Sequence, residues 1–415
     1  MIKIKIKFLF ILIVLLSSLN AGVFDIYGIG RPVMGYGAIS SGRGYTGLAV
    51  LDSTEVYSIN PAALANKILT GFEVGMNAEV GMVNSNLASQ NQGFRNATLS
   101  LPAGDNAGLQ FSFNPLFTAE GGLITTRNDI DAEESIYNSG SLYRLQVAGA
   151  WKFSFGLYAG LSYSTLLGGY ELSHDVSFSN ENYQELHYKK ISGSDGNQYQ
   201  LALIYKLSNR INLGINYEIT NEFTSRTLYQ TYSGENALFL FSEMDTSQFV
   251  NSVIGQKIGF GISLQPVKKL RLNVDIILDL DEMNYLPSQF GIINEEAKGK
   301  AANHIGIGLE KLGESAEYAK YLEKITLRTG VFSDNYYLSK EHGAEISSKG
   351  VSLAFGLPFN KGRSILDLSL TAGINTAKLY NSNYLQGVEM NENFYQLQLS
   401  LRSFDRWFNT KGKYR

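Results

Sequence analysis

Residues 71–83 read GFEVGMNAEVGMV, and the alternation in this stretch decides the fold class. Phe72, Val74, Met76, Ala78, Val80 and Met82 fall on one side of an extended chain, and Gly71, Glu73, Gly75, Asn77, Glu79 and Gly81 fall on the other. Successive side chains of a strand point to opposite faces, so the spacing predicts a strand with one apolar face and one polar or bare face. A helix would scatter both sets around its circumference.

Working outward, the same alternation recurs thirteen times in the 415 residues: at 94–101, 107–115, 143–151, 155–167, 199–205, 211–219, 258–264, 270–280, 303–309, 325–331, 351–357, 365–371 and 395–401. A soluble sandwich alternates in the same way, so the connections must discriminate. Tight turns around Asp105, Phe153, Asn209, Pro266 and Asn360 alternate with longer polar links. Short turns on one side and long loops on the other are the asymmetry of outer-membrane barrels. The link 310–324 departs from it, and its apolar spacing (Leu312, Ala316, Ala319, Leu322) predicts a short helix. The even count, with both ends on the short-turn side, gives an all-β fold: a 14-stranded antiparallel transmembrane β-barrel over 70–403, followed by a tail at 404–415. Aromatics at strand ends, Trp151, Phe153 and Phe155, then Trp407 and Phe408, read as girdle residues at the lipid–water boundary.

The first residues read as an export signal. Lys3, Lys5 and Lys7 precede an apolar run from Phe8 to Leu16, and Ser17, Ser18 and Ala21 follow as small residues, which places a signal at 1–21. That run is too short for a spanning helix of ~20 residues. Gly (42) is abundant and Pro (7) scarce, as suits a chain built of strands. With no cysteine, disulfides and thiolate chemistry are excluded. The formal net charge is −3, and removing three signal lysines makes it more negative; nucleic acid is not an expected partner.

Residues 22–69 precede the first strand without alternating, and they are rich in glycine. Within them, 43–62 read RGYTGLAVLDSTEVYSINPA. Ser41–Gly44, Gly47, Ala49, Asp52 and then Asn60–Pro61–Ala62 with Leu64 resemble the plug signature of the long-chain fatty acid transporter (FadL-like) family, which includes the related PorV-type barrels. The resemblance implies an N-terminal luminal plug at 22–69 with Asn60, Pro61 and Ala62 as its motif. It also implies an outer-membrane transport protein that takes up hydrophobic small molecules of the long-chain fatty acid kind. Alternatively, a PorV-like secretion or structural role would make a protein the partner. Read as residues alone, Pro61 biases Asn60 toward extended geometry, and the Asn side chain can bond local backbone; an ordinary turn would use the same features.

Catalytic and metal-binding patterns are missing. His174, His187, His304 and His342 are scattered, and no nucleophile elbow or phosphate loop appears, so the chain is read as no enzyme, with no cofactor and no metal. Ionisable residues on polar strand faces (Glu73, Glu79, Arg144, Arg271, Asp275, Asp279, His304, Arg328, Asp367, Arg402) are expected to pair inside the barrel. Apolar runs in two links, Leu123, Ile124 and Ile130, then Leu238–Phe241 with Phe249 and Val250, suggest a ligand mouth or loop packing; Phe239 and Phe241 are the candidate contacts. In FadL-like transporters the third strand opens laterally to lipid. Here Gly108 and Pro115 mark the third strand as the weakest, with a lateral opening expected near Gly108; the bland alternative is that one eases a turn and the other ends the strand.

Overall fold

A computed structural model describes residues 30–405 apart from 84–85, 128–131, 180–182, 234–237, 246–254, 281–300, 315, 317, 337–343 and 380–387. The chain begins with a two-residue strand β1 (Arg31–Pro32), helix α1 (Ala38–Gly42) and a 3-10 helix (Pro61–Asn66). Then follow β2 (Thr70–Val83), β3 (Asn86–Pro102), β4 (Ala107–Arg127), β5 (Ala132–Lys152), β6 (Leu157–Phe178), β7 (Leu186–Lys206), β8 (Ile211–Ser233) and β9 (Leu238–Asp245). The rest comprises β10 (Lys257–Val267), β11 (Leu270–Asp279), β12 (Asn303–Lys311), helix α2 (Tyr321–Lys324), β13 (Thr326–Asn335), β14 (Ala344–Phe359), β15 (Ser364–Leu379) and β16 (Val388–Asp405).

Fourteen strands, β2–β8 and β10–β16, pair antiparallel with their sequence neighbours, and β16 returns to β2 to close the barrel. The two remaining strands lie off the ring: β1 pairs with β4, and β9 pairs with β8. The residues of 71–83 settle into β2 with the expected faces: Phe72 and Met76 are half exposed, while Glu73 and Glu79 are buried. This inversion holds around the ring. Leu161, Leu201, Ile305 and Val351 face out, whereas Gln146, Gln198, Ser369 and Asp367 are buried. An apolar exterior with every strand paired is what lipid demands of backbone polar groups.

All fourteen segments read from the sequence are strands, but most are longer than the alternation suggests. The segment 143–151 lies inside β5 (Ala132–Lys152), and 199–205 inside β7 (Leu186–Lys206). Two links expected to be long therefore shrink, to 84–85 and to 128–131. Beyond the lipid band the outward face no longer has to be apolar, so alternation fades while the backbone ladder continues. The walls are unequal: β5–β8 run to 21–23 residues, β10–β13 to only 9–11. The helix expected in 310–324 is confined to Tyr321–Lys324, and Leu322 is exposed rather than packed.

From Gly30 to Thr70 the chain lies against the inward faces of the strands. Ala38 N donates to Ser400 Oγ of β16, Ser41 Oγ to Ser369 Oγ of β15, and Gly44 N to Ser352 Oγ of β14. Ser58 N donates to Gln110 Oε1 of β4, and Gln200 Nε2 of β7 donates to Ile59 O. The segment thus gives several inward polar side chains of the wall their partners.

Candidate functional site

Asn60, Pro61 and Ala62 form a buried corner. Asn60 is extended (φ −98°, ψ 110°) and caps the 3-10 helix through its Oδ1, which accepts from Ala62 N at 2.9 Å. Its Nδ2 donates to Leu48 O at 2.8 Å and to two wall carbonyls, Leu203 O and Ile215 O. Pro61 occupies the first helical position, where its missing N–H costs nothing. The helix can approach because the wall is bare: a Cβ at Gly108 would overlap the Leu64 carbonyl, and one at Gly160 would overlap the backbone at Pro61–Ala62.

At the same short-turn end, an ionic network joins segment and wall. Arg43 pairs with Glu55 at 2.6 Å. Arg271 reaches Asp52 at 3.2 Å and Glu310 at 2.9 Å. Arg328 bridges Glu310 and Asp367, and Arg402 binds Asp367 with both Nε and Nη2. Burial opposes charge on Asp52, but Arg271 and the Thr54 hydrogen bonds outweigh it and hold the carboxyl well below its usual range. A buried charge without a partner is strongly destabilising, so such a network tolerates no gaps.

The wall has a seam between β3 and β4. β3 and β4 pair only from Pro102↔Gly108 to Ala97↔Phe113. Beyond that point β3 stays with β2 as far as Val83↔Asn86, and β4 stays with β5 as far as Arg127↔Ala132. The edge that β3 leaves on β4 is taken by β1, with Arg31 opposite Thr118, Pro32 opposite Phe117, and Val33 N donating to Leu116 O. Arg31 also pairs with Glu79 of β2 at 2.6 Å, so it spans the seam.

A cavity open to solvent lies behind this seam. Gly93, Phe94 and Arg95 of β3, Pro115 of β4 and Tyr143 of β5 line its seam side. Tyr45, Phe332 and Phe394 form an apolar cluster, joined by Met34, on its inner side. Burial pushes the Tyr45 phenol up. Arg95 is the extra residue of a bulge, since Gly75 pairs with Asn96 while Met76 pairs with Phe94. Its Nε is buried without a hydrogen-bond partner among the described residues.

The expectation for the third strand needs correction in its details. Gly108 sits in an unbroken ladder, paired with Pro102 and Ala150, and its bareness admits the 3-10 helix. Pro115 does not end its strand, which runs to Arg127; it stands just past the last β3 partner, Phe113, where the seam starts. Phe239 and Phe241 lie in a strand, β9, rather than a loop, and their side chains, like those of Leu123 and Ile124, fall outside the described residues. Ile130, Phe249, Val250, Trp407 and Phe408 are also outside them. The ionisable lumen residues face inward as expected. Arg31, Arg95 and Tyr45 were missed. Arg95 falls in step with Ala97, Leu99 and Leu101, and an arginine in an apolar outward row is a sign that a bulge has re-aimed it.

A family model described as BamG matches residues 1–415. The chain belongs to the BamG family. No curated protein sequence matches. Solved structures do: the CymD monoaromatic hydrocarbon channel is 13% identical, with a TM-score of 0.61 over 91% of this chain and 99% of that one. The Ralstonia pickettii toluene transporter TbuX is 13% identical (TM-score 0.57; 89% and 98% covered), and a Pseudomonas aeruginosa FadL homologue 11% (0.58; 91% and 99%). The protein thus has the FadL-like fold, and its closed barrel, apolar outside, is that of a bacterial outer-membrane protein.

Proposed function

We propose that this barrel takes up hydrophobic small molecules across the outer membrane, by way of the cavity behind the β3–β4 seam. In this reading residues 1–21 are a signal, 22–69 a luminal plug whose Asn60–Pro61–Ala62 corner seats it, 70–403 the barrel and 404–415 a periplasmic tail. The observation that carries it is the end of the β3–β4 ladder at Ala97↔Phe113, beside a cavity with an aromatic side and a guanidinium whose Nε has no hydrogen-bond partner among the described residues. An apolar ligand needs a greasy wall and a few polar anchors, and a long-chain acid would meet both here. Its exit would be lateral, between Gly93–Arg95 and Pro115, so that the apolar part never crosses water.

Uptake of a fluorescent fatty acid analogue into proteoliposomes tests the reading. Gly93→Trp, at the cavity mouth, is expected to abolish uptake while the barrel stays folded by heat-modified mobility, and Arg95→Gln to weaken uptake of the acid more than of toluene. Uptake indifferent to both substitutions would remove the cavity from the route. A second reading, docking of a periplasmic protein, is favoured by the exposure of Tyr318 (94%) and Leu322 (77%) at the β12–β13 link. A stable partner that co-purifies with the native chain and is lost on Leu322→Asp would support that role.

A further inference from the structure

Two polar atoms on adjacent strands are buried without a hydrogen-bond partner among the described residues: His304 Nε2 on β12 and Asp275 Oδ1 on β11. Asp275 lies opposite Gly306, and His304 opposite Ile277, so the two inward side chains are diagonal cross-strand neighbours. Bare glycines let the 44–48 stretch approach both groups: a Cβ at Gly306 would overlap Gly44 O, and one at Gly261 would overlap the Leu48 side chain. A Cβ at Gly306, the residue facing Asp275, would stand 3.0 Å from His304 Nε2, and a Cβ at Gly261 would stand 2.7 Å from Asp275 Oδ1.

The other end of each group is engaged. His304 Nδ1 is hydrogen bonded to Asp334 Oδ1, and Asp334 lines the cavity. Asp275 Oδ2 accepts from the amides of Gly47 and Leu48 at 2.6 and 2.8 Å. Leu48 O accepts in turn from Asn60 Nδ2. One line of hydrogen bonds therefore runs from the cavity wall to the Asn60 corner, interrupted only between His304 and Asp275.

We propose that His304 closes this line when charged and opens it when neutral, which makes it a positioning residue tying the Asn60 corner to the cavity wall. A neutral imidazole that gives its Nδ1 proton to Asp334 turns a bare lone pair on Nε2 toward a carboxylate, acceptor against acceptor. A proton on Nε2 turns that into a donor, which reaches Asp275 directly or through one water. The surrounding charges leave this role to His304. Arg43 is held by Glu55, Lys257 of β10 by Asp279 of β11, Arg271 by Asp52 and Glu310, Arg328 of β13 by Glu310 and Asp367, and Arg31 by Glu79. Arg95 stands across the cavity on β3, and the Tyr45 ring meets the imidazole edge-on at 6.3 Å.

Amide exchange of the ligand-free barrel in phospholipid nanodiscs tests the switch, read by mass spectrometry on peptides spanning 43–51 and corrected for intrinsic rates, over a series from about pH 5 to 8. Protection of this turn is expected to fall about tenfold across that range, the effect of one hydrogen bond to a charged group. The fall should vanish in His304→Gln and persist in Asp279→Asn. Should His304→Gln not fold, Asp275→Asn serves instead: its amide can donate to the neutral ring, so the fall should flatten or reverse. A wild-type profile without pH dependence, or one that survives either substitution, overturns the proposal. The test needs no ligand, so its failure and failure of the uptake reading are separate results.

Discussion

The two ends of the lumen hold similar residue types and use them differently. At the short-turn end, Arg43, Arg271, Arg328 and Arg402 meet Glu55, Asp52, Glu310 and Asp367 in one continuous network that includes both the N-terminal segment and the wall. Higher up, the cavity holds Arg95 with an unpartnered Nε and, at its wall, the His304–Asp334 pair with one imidazole nitrogen free among the described residues. Mutual satisfaction makes a seal, and unsatisfied polar groups beside open volume make a site. What differs between the two ends is how the charged side chains are paired, carboxylate to guanidinium at the short-turn end and incompletely beside the cavity.

The sharpest test of that contrast is Asp367→Ala. Asp367 is wholly buried and accepts from both Arg328 and Arg402, so its loss strands two guanidinium groups. We expect a loss of about 3–5 kcal/mol in denaturant unfolding from detergent micelles. Arg95→Gln, removing a charge that has no such partner among the described residues, should change stability far less. Equal losses at the two positions would erase the distinction between the ends.

Next in size is the seating of the corner. Gly108→Ala forces a Cβ into the Leu64 carbonyl, and overpacking of this kind costs about 1–3 kcal/mol. The same substitution at Gly193, where a Cβ meets nothing within 4 Å, is the control and should be close to silent. Asn60→Ala removes the partner of Ala62 N and the donor to three carbonyls, an expected loss of about 1–3 kcal/mol together with weakened uptake. A melting temperature unmoved by Asn60→Ala would show that the corner is held by its apolar contacts alone.

Much of this was legible in the sequence. Alternation located all fourteen strands because lipid on one side and a polar interior on the other impose it residue by residue. It failed where that constraint lapses, as in the outer halves of β5 and β7, whose pairing is backbone and leaves no side-chain signature. The ion pairs were legible as inward charges of both signs, though not their partners, which lie far apart in the chain. The seam was foreshadowed at Pro115 and misplaced at Gly108, because a bare residue serves close approach as well as weakness. β1 was invisible, since two residues pairing across a gap carry no period.

The last test uses a buried cation of the tight end, Lys67, which has no carboxylate bonded to it among the described residues. Lys67 ends the 3-10 helix, buried, and its Nζ donates to the carbonyl oxygens of Asp52 and Glu55. Burial brings its ammonium down to about 8, against the pull of the Glu55 and Asp52 carboxylates. The unfolded chain holds the same proton up to the ordinary lysine range near 10.4. Between these values the unfolded state binds more protons than the folded one, so stability contributed through this group rises with pH, from about 8 toward 10. Tyr45 and Tyr57, whose phenols are pushed up by burial, act in the opposite sense as pH approaches 10, because the unfolded chain releases their protons first. The difference between wild type and Lys67→Met isolates the lysine. Unfolding free energies taken at intervals from pH 7 to 10 should show wild type gaining on the variant as pH rises. A constant difference would mean that the ammonium is as well held as the paired arginines beside it, and the tight end would then have no weak member.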